Sequence, residues 1–302
     1  ASKAISVVRA AWASVRDTLH GGAVEVYDSS NWEKTYTMPV GTDTGSSNPM
    51  FEYVGAFVLA GTDGTTVTID RDGNGTTDLT TTLDEGESWF TVGTLLQGAT
   101  IAADYPVQVD IVTGDIGSTY EARFFPLAPM SQWADRYVTP VGTPTSTPDT
   151  GDTTLWLYNP GASAISVTIQ YRTAANVLTS VTQSVPAQGS ASRVIPATGS
   201  GARAISEGNA FYAFATIDSY TSSNSGQLCD WGFSLLPEEA LTPQTLVGLG
   251  LGEDPNRIAN VNKSPIWITP VGNGETDIRV YVDYDADPAT GALTDPKLNK
   301  YD

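Results

Sequence analysis

The stretch that decides the fold runs from Phe57 to Val92, FVLAGTDGTTVTIDRDGNGTTDLTTTLDEGESWFTV. Apolar and polar residues alternate in TTVTID (65–70) and ESWFTV (87–92), and the residues between are mostly Gly, Asp, Asn and Thr. A period of two puts Val67 and Ile69 on one face and Thr66 and Thr68 on the other, the pattern of a strand with one buried face. The alternation recurs along the chain in VQVDIVT (107–113), TLWLYN (154–159), ISVTIQY (165–171) and FYAFATID (211–218). Such strands hide their apolar faces by closing two sheets on each other. The pattern therefore predicts an all-β protein of antiparallel β-sandwich domains, Ig-like or jelly-roll-like. Val67, Ile69, Val107, Val109 and Ile111 are the expected core of one domain, and Val167, Ile169, Phe211, Ala213 and Ala215 that of the next.

The chain also repeats itself. NWEKTYTMPVG (31–41), QWADRYVTPVG (132–142) and KSPIWITPVG (263–272) each place an aromatic residue three positions before a Pro-Val-Gly. Between the first two phrases the matches keep their order. Val67-Thr68-Ile69 answers Val167-Thr168-Ile169, Gly86 answers Gly189, Gly98 with Ile101 answers Gly201 with Ile205, and the run Phe125–Pro129 answers Phe233–Pro237. A repeat near 100 residues long is the size of one sandwich. The expected organisation is 1–31 as an N-terminal helix and connecting strand, 32–136 as repeat one and 137–262 as repeat two. Residues 263–302 are the start of an incomplete third repeat or an intermolecular strand segment. The helix is expected in SKAISVVRAAWASVRDTL, where Ile5, Val8, Trp12, Val15 and Leu19 share a stripe ahead of Gly21 and Gly22; the same Ile, Val and Trp also suit a strand followed by a linker.

Composition bounds the function. Fifteen Lys and Arg against 34 Asp and Glu give a formal net charge of -19. That charge opposes nucleic acid and anionic lipid and favours divalent cations or solubility in a salty exterior. No run of about 20 apolar residues predicts a membrane span, and the opening at Ala1 without a basic-then-apolar leader reads as a mature or excised segment. Cys229 is the only cysteine and reads as a plain buried thiol. The Thr, Ser, Gly and Ala content, and the sequons at Asn74 and Asn262, suit an extracellular surface.

The motif with most chemistry is DRDGNGTTD (70–78), which sets Asp70, Asp72, Asn74, Thr76 and Asp78 at alternate positions after a strand. Alternate side-chain oxygens converge when glycines tighten the turn, and a hard cation such as Ca²⁺ takes six to eight oxygens at about 2.4 Å. Thr81 stands where an EF-hand carries its bidentate Glu, so the stretch reads as a calcium loop or as an Asp- and Gly-rich hairpin turn. A second cluster, Asp283, Asp285 and Asp287 with Asp295 further on, echoes it, whereas repeat two carries Gln170 and Arg172 there. A single histidine, His20, excludes a multi-histidine metal site, and no phosphate loop or dinucleotide fingerprint is present. The chain is therefore expected not to be an enzyme.

Residues 57–92, with LQGATIAADYPVQV (96–109), resemble the repeat of the IgGFc-binding-protein N-terminal type found in large bacterial and archaeal cell-surface proteins and in animal mucin-like proteins. The resemblance covers roughly residues 50–135 and more weakly 150–240. It implies β-rich extracellular modules without a catalytic centre; immunoglobulin binding is carried by no motif here. The expected function is a structural subunit of an extracellular surface layer, sheath or filament. Its expected partners are further copies of itself or further repeats of a longer chain, joined through the terminal segments. The alternatives are a glycan-binding adhesin using Trp89, Trp133, Trp156 or Trp231, aromatics whose place in alternating strands and anchor phrases otherwise reads as core packing or contact between repeats, and, more distantly, an acid–base glycosidase.

Overall fold

The computed structural model describes residues 8–11, 22–44, 49–114, 122–139, 153–173, 175–195, 201–217, 231–245, 269, 271, 280–281 and 297–298. Strands β1 (Val8–Ala11) and β2 (Gly22–Glu25) form an antiparallel pair. A first set follows: β3 (Glu33–Thr37), β4 (Tyr53–Ala60), β5 (Thr65–Asp70), β6 (Leu79–Leu83), β7 (Ser88–Phe90), β8 (Thr100–Gly114) and β9 (Ala122–Pro126). The second set is β10 (Arg136–Thr139), β11 (Thr153–Asn159), β12 (Ile165–Arg172), β13 (Leu178–Val185), β14 (Gly189–Ile195), β15 (Ala202–Ile205), β16 (Tyr212–Ile217), β17 (Trp231–Ser234) and β18 (Leu236–Pro237). A last pair is β19 (Val280–Tyr281) with β20 (Lys297–Leu298). Every pairing is antiparallel, and among the described residues there is no α-helix.

The long strand β8 organises the first set. Its first part, Thr100–Ala103, is flanked by β5 and β3, and its second part, Val107–Gly114, by β4 and β9. Between them Asp104, Tyr105 and Pro106 are exposed, and Pro106 has no N–H to give a ladder, so the strand changes neighbours there. The second set divides the same path in two. Strand β15 is flanked by β12 and β10, and β16 by β11 and β17. Glu207 and Gly208, at φ 52° and 97°, turn the chain between them. With β5–β6 and β4–β7 answered by β12–β13 and β11–β14, six pairings recur in the same order.

Residue by residue the two sets register closely. Tyr36 donates its hydroxyl to Val107 O at 2.6 Å and accepts from Glu33 N at 3.2 Å; Tyr137 donates to Phe211 O at 2.7 Å and accepts from Ala134 N at 3.0 Å. Val67 and Ile69 match Val167 and Ile169, Val109 matches Ala213, and Phe125, opposite Ile111, matches Phe233, opposite Ala215. Two matches read from sequence shift by one. Ile101, opposite Tyr36, corresponds to Ala204, opposite Tyr137, rather than to Ile205. Gly86, at φ 82°, corresponds to Gln188, at φ 47°, rather than to Gly189. The left-handed turn position that the first set fills with glycine holds a glutamine in the second.

The inward residues of both sheets of the second set, among them Tyr137, Val167, Ile169, Leu157, Phe211 and Ala213, form one core. The first set's core is continuous with Trp133, Trp156, Tyr158, Tyr212 and Phe214. These aromatics seal a junction. Trp156 meets Phe51 edge-on at 4.8 Å, Phe125 stacks on Phe214 at 5.6 Å, and Trp133 packs on Tyr212 at 5.2 Å. Polar bonds rim it: Ser190 Oγ donates to Pro39 O at 3.2 Å and Tyr212 to Pro126 O at 3.3 Å, and Gln97 Nε2 donates to Ser190 Oγ.

The expected N-terminal helix is corrected where it is described. Val8–Ala11 is a strand, because pairing with Gly22–Glu25 satisfies its backbone. The rest of that expected helix, His20, Cys229, Asn262, Trp267 and Pro270 lie outside the described residues. No helix among the described residues is long and apolar enough to cross a membrane.

Candidate metal centre

The hairpin joining β5 to β6 carries the candidate site. Strand β5 ends at Asp70, opposite Thr100 of β8, and β6 resumes at Leu79 opposite Ile69. Gly73 turns the loop at φ 69°, and a Cβ there would lie 2.7 Å from Gly98 O, so only glycine lets the loop sit this close to the turn that precedes β8.

Within the loop one carboxylate oxygen from each of Asp70, Asp72 and Asp78 lies within 4.8 Å of the others. Oxygens that share one ion at about 2.4 Å lie no more than twice that distance apart, so the three can hold a metal ion together. Asp70 is buried while Asp72 and Asp78 are exposed. Burial pushes the Asp70 carboxyl up, but N–H donation to it from Gly75, Asp72 and Asn74 outweighs this and holds it below its ordinary value. The bonds are Gly75 N to Oδ2 at 2.6 Å, Asn74 N to Oδ1 at 3.2 Å and Asp72 N to Oδ1 at 3.3 Å. Asp78 Oδ2 accepts from Arg71 N at 2.8 Å. The Arg71 guanidinium turns away and donates to Val92 O.

Of the other residues in the motif, Asn74 donates Nδ2 to Asp72 Oδ2 at 2.9 Å and accepts from Thr76 N at 2.8 Å, so both shape the loop. Thr81 lies in β6 opposite Val67 and brings no carboxylate. Asp283, Asp285, Asp287 and Asp295 lie outside the described residues; β19 and β20, on either side of them in sequence, pair antiparallel. In the second set the corresponding loop is braced by a cation of its own: Arg172 Nη1 donates to Asn176 O at 2.8 Å, with Asn176 at φ 60°.

The role expected of the tryptophans, core packing or contact between repeats, holds for Trp133 and Trp156, which sit in the aromatic junction. The junction's signal lies in TLWLYN and FYAF, where both faces of each strand are apolar; β11 is buried at every position. Trp133 and Trp156 are each 6% exposed and offer no open face to a sugar, while Trp89 is half-buried against the first core. The chain matches no protein-family model and no curated protein sequence.

Proposed function

We propose that the chain is a structural piece of an extracellular assembly, built from tandem β-sandwich repeats of the IgGFc-binding-protein N-terminal-like type and self-associating through its terminal segments. The observation that carries this reading is the junction: two strand sets with the same pairing scheme meet through buried aromatics rather than through a flexible linker. Rigid stacking of like units is what a layer, sheath or filament needs, and a load-bearing role asks for no reactive centre. The acidic composition fits a cation-rich exterior.

Ca²⁺ stiffens the β5–β6 loop through Asp70, Asp72 and Asp78. The contrast with Arg172 supports this, since the second set supplies positive charge to the same hairpin from its own side chain. Light scattering and negative-stain imaging of the purified chain, with and without Ca²⁺, test the assembly. Regular polymers are expected; a monodisperse monomer at high concentration in both conditions overturns it. Chelation is expected to lower the melting temperature beyond the effect of ionic strength, and Asp72→Ala to abolish that difference.

A further inference from the structure

Resting on that reading, we infer that β1–β2 is the closing hairpin of another unit of this same fold, and that the outer face of the β7–β4–β8–β9 side of the first set is the docking surface for that unit. Three observations converge. Strand β1 pairs β2 as β8 pairs β9 and β16 pairs β17, each second strand entering from an antiparallel neighbour. After each comes a 3-10 turn, at Ser29–Asn31, Met130–Gln132 and Glu238–Ala240. The residue closing each turn, Trp32, Trp133 and Leu241, donates its N–H to the turn's first carbonyl at 3.2 Å in all three. The Trp32 and Trp133 indoles then reach back alike, to Tyr27 O at 3.0 Å and Ala128 O at 2.9 Å. Counted back from these landmarks, Gly22–Glu25 falls on Arg123–Pro126, and the pair Val8 with Glu25 falls on Asp110 with Pro126.

The second observation is spatial. At the junction β17 lies against β9, where a Cβ on Gly232 would be 3.1 Å from Arg123 Cβ. One unit earlier, β2 lies against β9 in its turn. The third concerns the face itself. Phe57 occupies the register of Trp156, and Gln108 and Asp110 those of Tyr212 and Phe214. Although Gln108 and Asp110 point away from the first core, they are only 3% and 1% exposed, so this face is covered as its counterpart is. The partner it fits is therefore a unit of its own kind, seated as the first set is seated on the second. That unit would lay a strand of the β4 or β11 kind along the edge of β1 opposite β2.

Cysteine pairs in the full chain, in a Cys229→Ser background, test this. Arg123→Cys with Gly232→Cys probes the known junction, and Gly22→Cys with Phe124→Cys probes the corresponding place between β2 and β9. Both pairs are expected to close under mild oxidation, at rates within about tenfold of each other, because like stacking gives like geometry. Closure of the first pair while the second keeps both thiols free overturns the inference. If either variant fails to fold, hydrogen exchange on the unaltered chain decides. Amides of β2 protected within about tenfold of those in β9 support a docked unit, and exchange about a hundredfold faster marks a lone hairpin and overturns it. A chain that stays monomeric while the second pair closes keeps this inference and sinks the assembly reading alone.

Discussion

Replacing Trp156 with alanine tests whether the two strand sets are welded or merely adjacent. The indole is 6% exposed, meets Phe51 edge-on at 4.8 Å and stacks on Phe214 at 6.0 Å. Its Nε1 donates to Thr216 Oγ1 at 3.0 Å, and Thr216 is itself fully buried. Truncating a large buried aromatic costs about 3–5 kcal/mol, with lost ring pairing included in that range. Leaving a buried hydroxyl without its donor adds to the upper end. Because the lost contacts span both sets, the second expected effect is lost cooperativity. Urea unfolding followed by far-ultraviolet circular dichroism should give one transition for the parent and a broadened or split one for Trp156→Ala. Val177→Ala is the control, since Val177 is 58% exposed on the second set and should cost under about 1 kcal/mol. A Trp156→Ala chain within about 1 kcal/mol of the parent, still unfolding in one step, would refute the junction.

Three further outcomes are expected. Gln188→Gly should raise stability by about 0.5–1 kcal/mol in the same urea titration, because it relieves a left-handed backbone at φ 47° that the first set assigns to Gly86. Alkaline unfolding should begin above pH 10: burial pushes the Tyr36 hydroxyl up to about 12, opposed by N–H donation from Glu33. A folded-state value above the unfolded one leaves that stability intact below about pH 10 and removes it as pH rises towards 12. Tyr36→Phe should flatten this part of a melting-temperature profile while lowering its plateau. On the acid side the Asp70 carboxyl is held below its ordinary value, so its contribution is present above about pH 4 and fades as pH falls further. Asp70→Asn should remove that acid slope in the absence of Ca²⁺, and an unchanged slope would assign it to other carboxylates.

What could be read from the sequence was whatever depends on periods and landmarks. Alternation gave the strands, and the phrases around Tyr36 and Tyr137 marked equivalent positions because each tyrosine makes the same pair of backbone bonds, one local and one long-range. Gly41 closes the first phrase for a steric reason, since a Cβ there would overlap Gln97 N at 1.9 Å. The Asp70–Asp78 spacing pointed to three carboxylates that do converge. Other features depend on long-range context that a local window lacks. In residues 2–19 a helical stripe and a strand coexist in one pattern, and only the partner Gly22–Glu25 decides for the strand at Val8–Ala11. Gln188 is hidden because sequence marks left-handed backbone by glycine.

The two surfaces joined at the junction are unlike each other. From the second set come the aromatic outer faces of β11 and β16, with Trp156, Tyr158, Tyr212 and Phe214; from the first come Phe51, Pro39, Gln97 and the Pro126 carbonyl. A self-complementary contact would bring the same patch from both sides and close a pair. An unlike contact leaves the pair with one unused surface of each kind, so repetition propagates in one direction, as a ring where the rotation between units closes and as an open filament where it does not. The same six strand pairings in both sets put the corresponding face of the first set on equivalent strands, with Phe57, Gln108 and Asp110 at the registers of Trp156, Tyr212 and Phe214. Charge adds to the directionality. With 34 acidic residues against 15 basic ones, exposed flanks repel one another, whereas the seam at Trp156 and Phe214 is aromatic. In the assembly proposed above, association through such a seam costs less electrostatic work than association through the acidic flanks, and salt or Ca²⁺ should promote lateral bundling before it alters the axial contact.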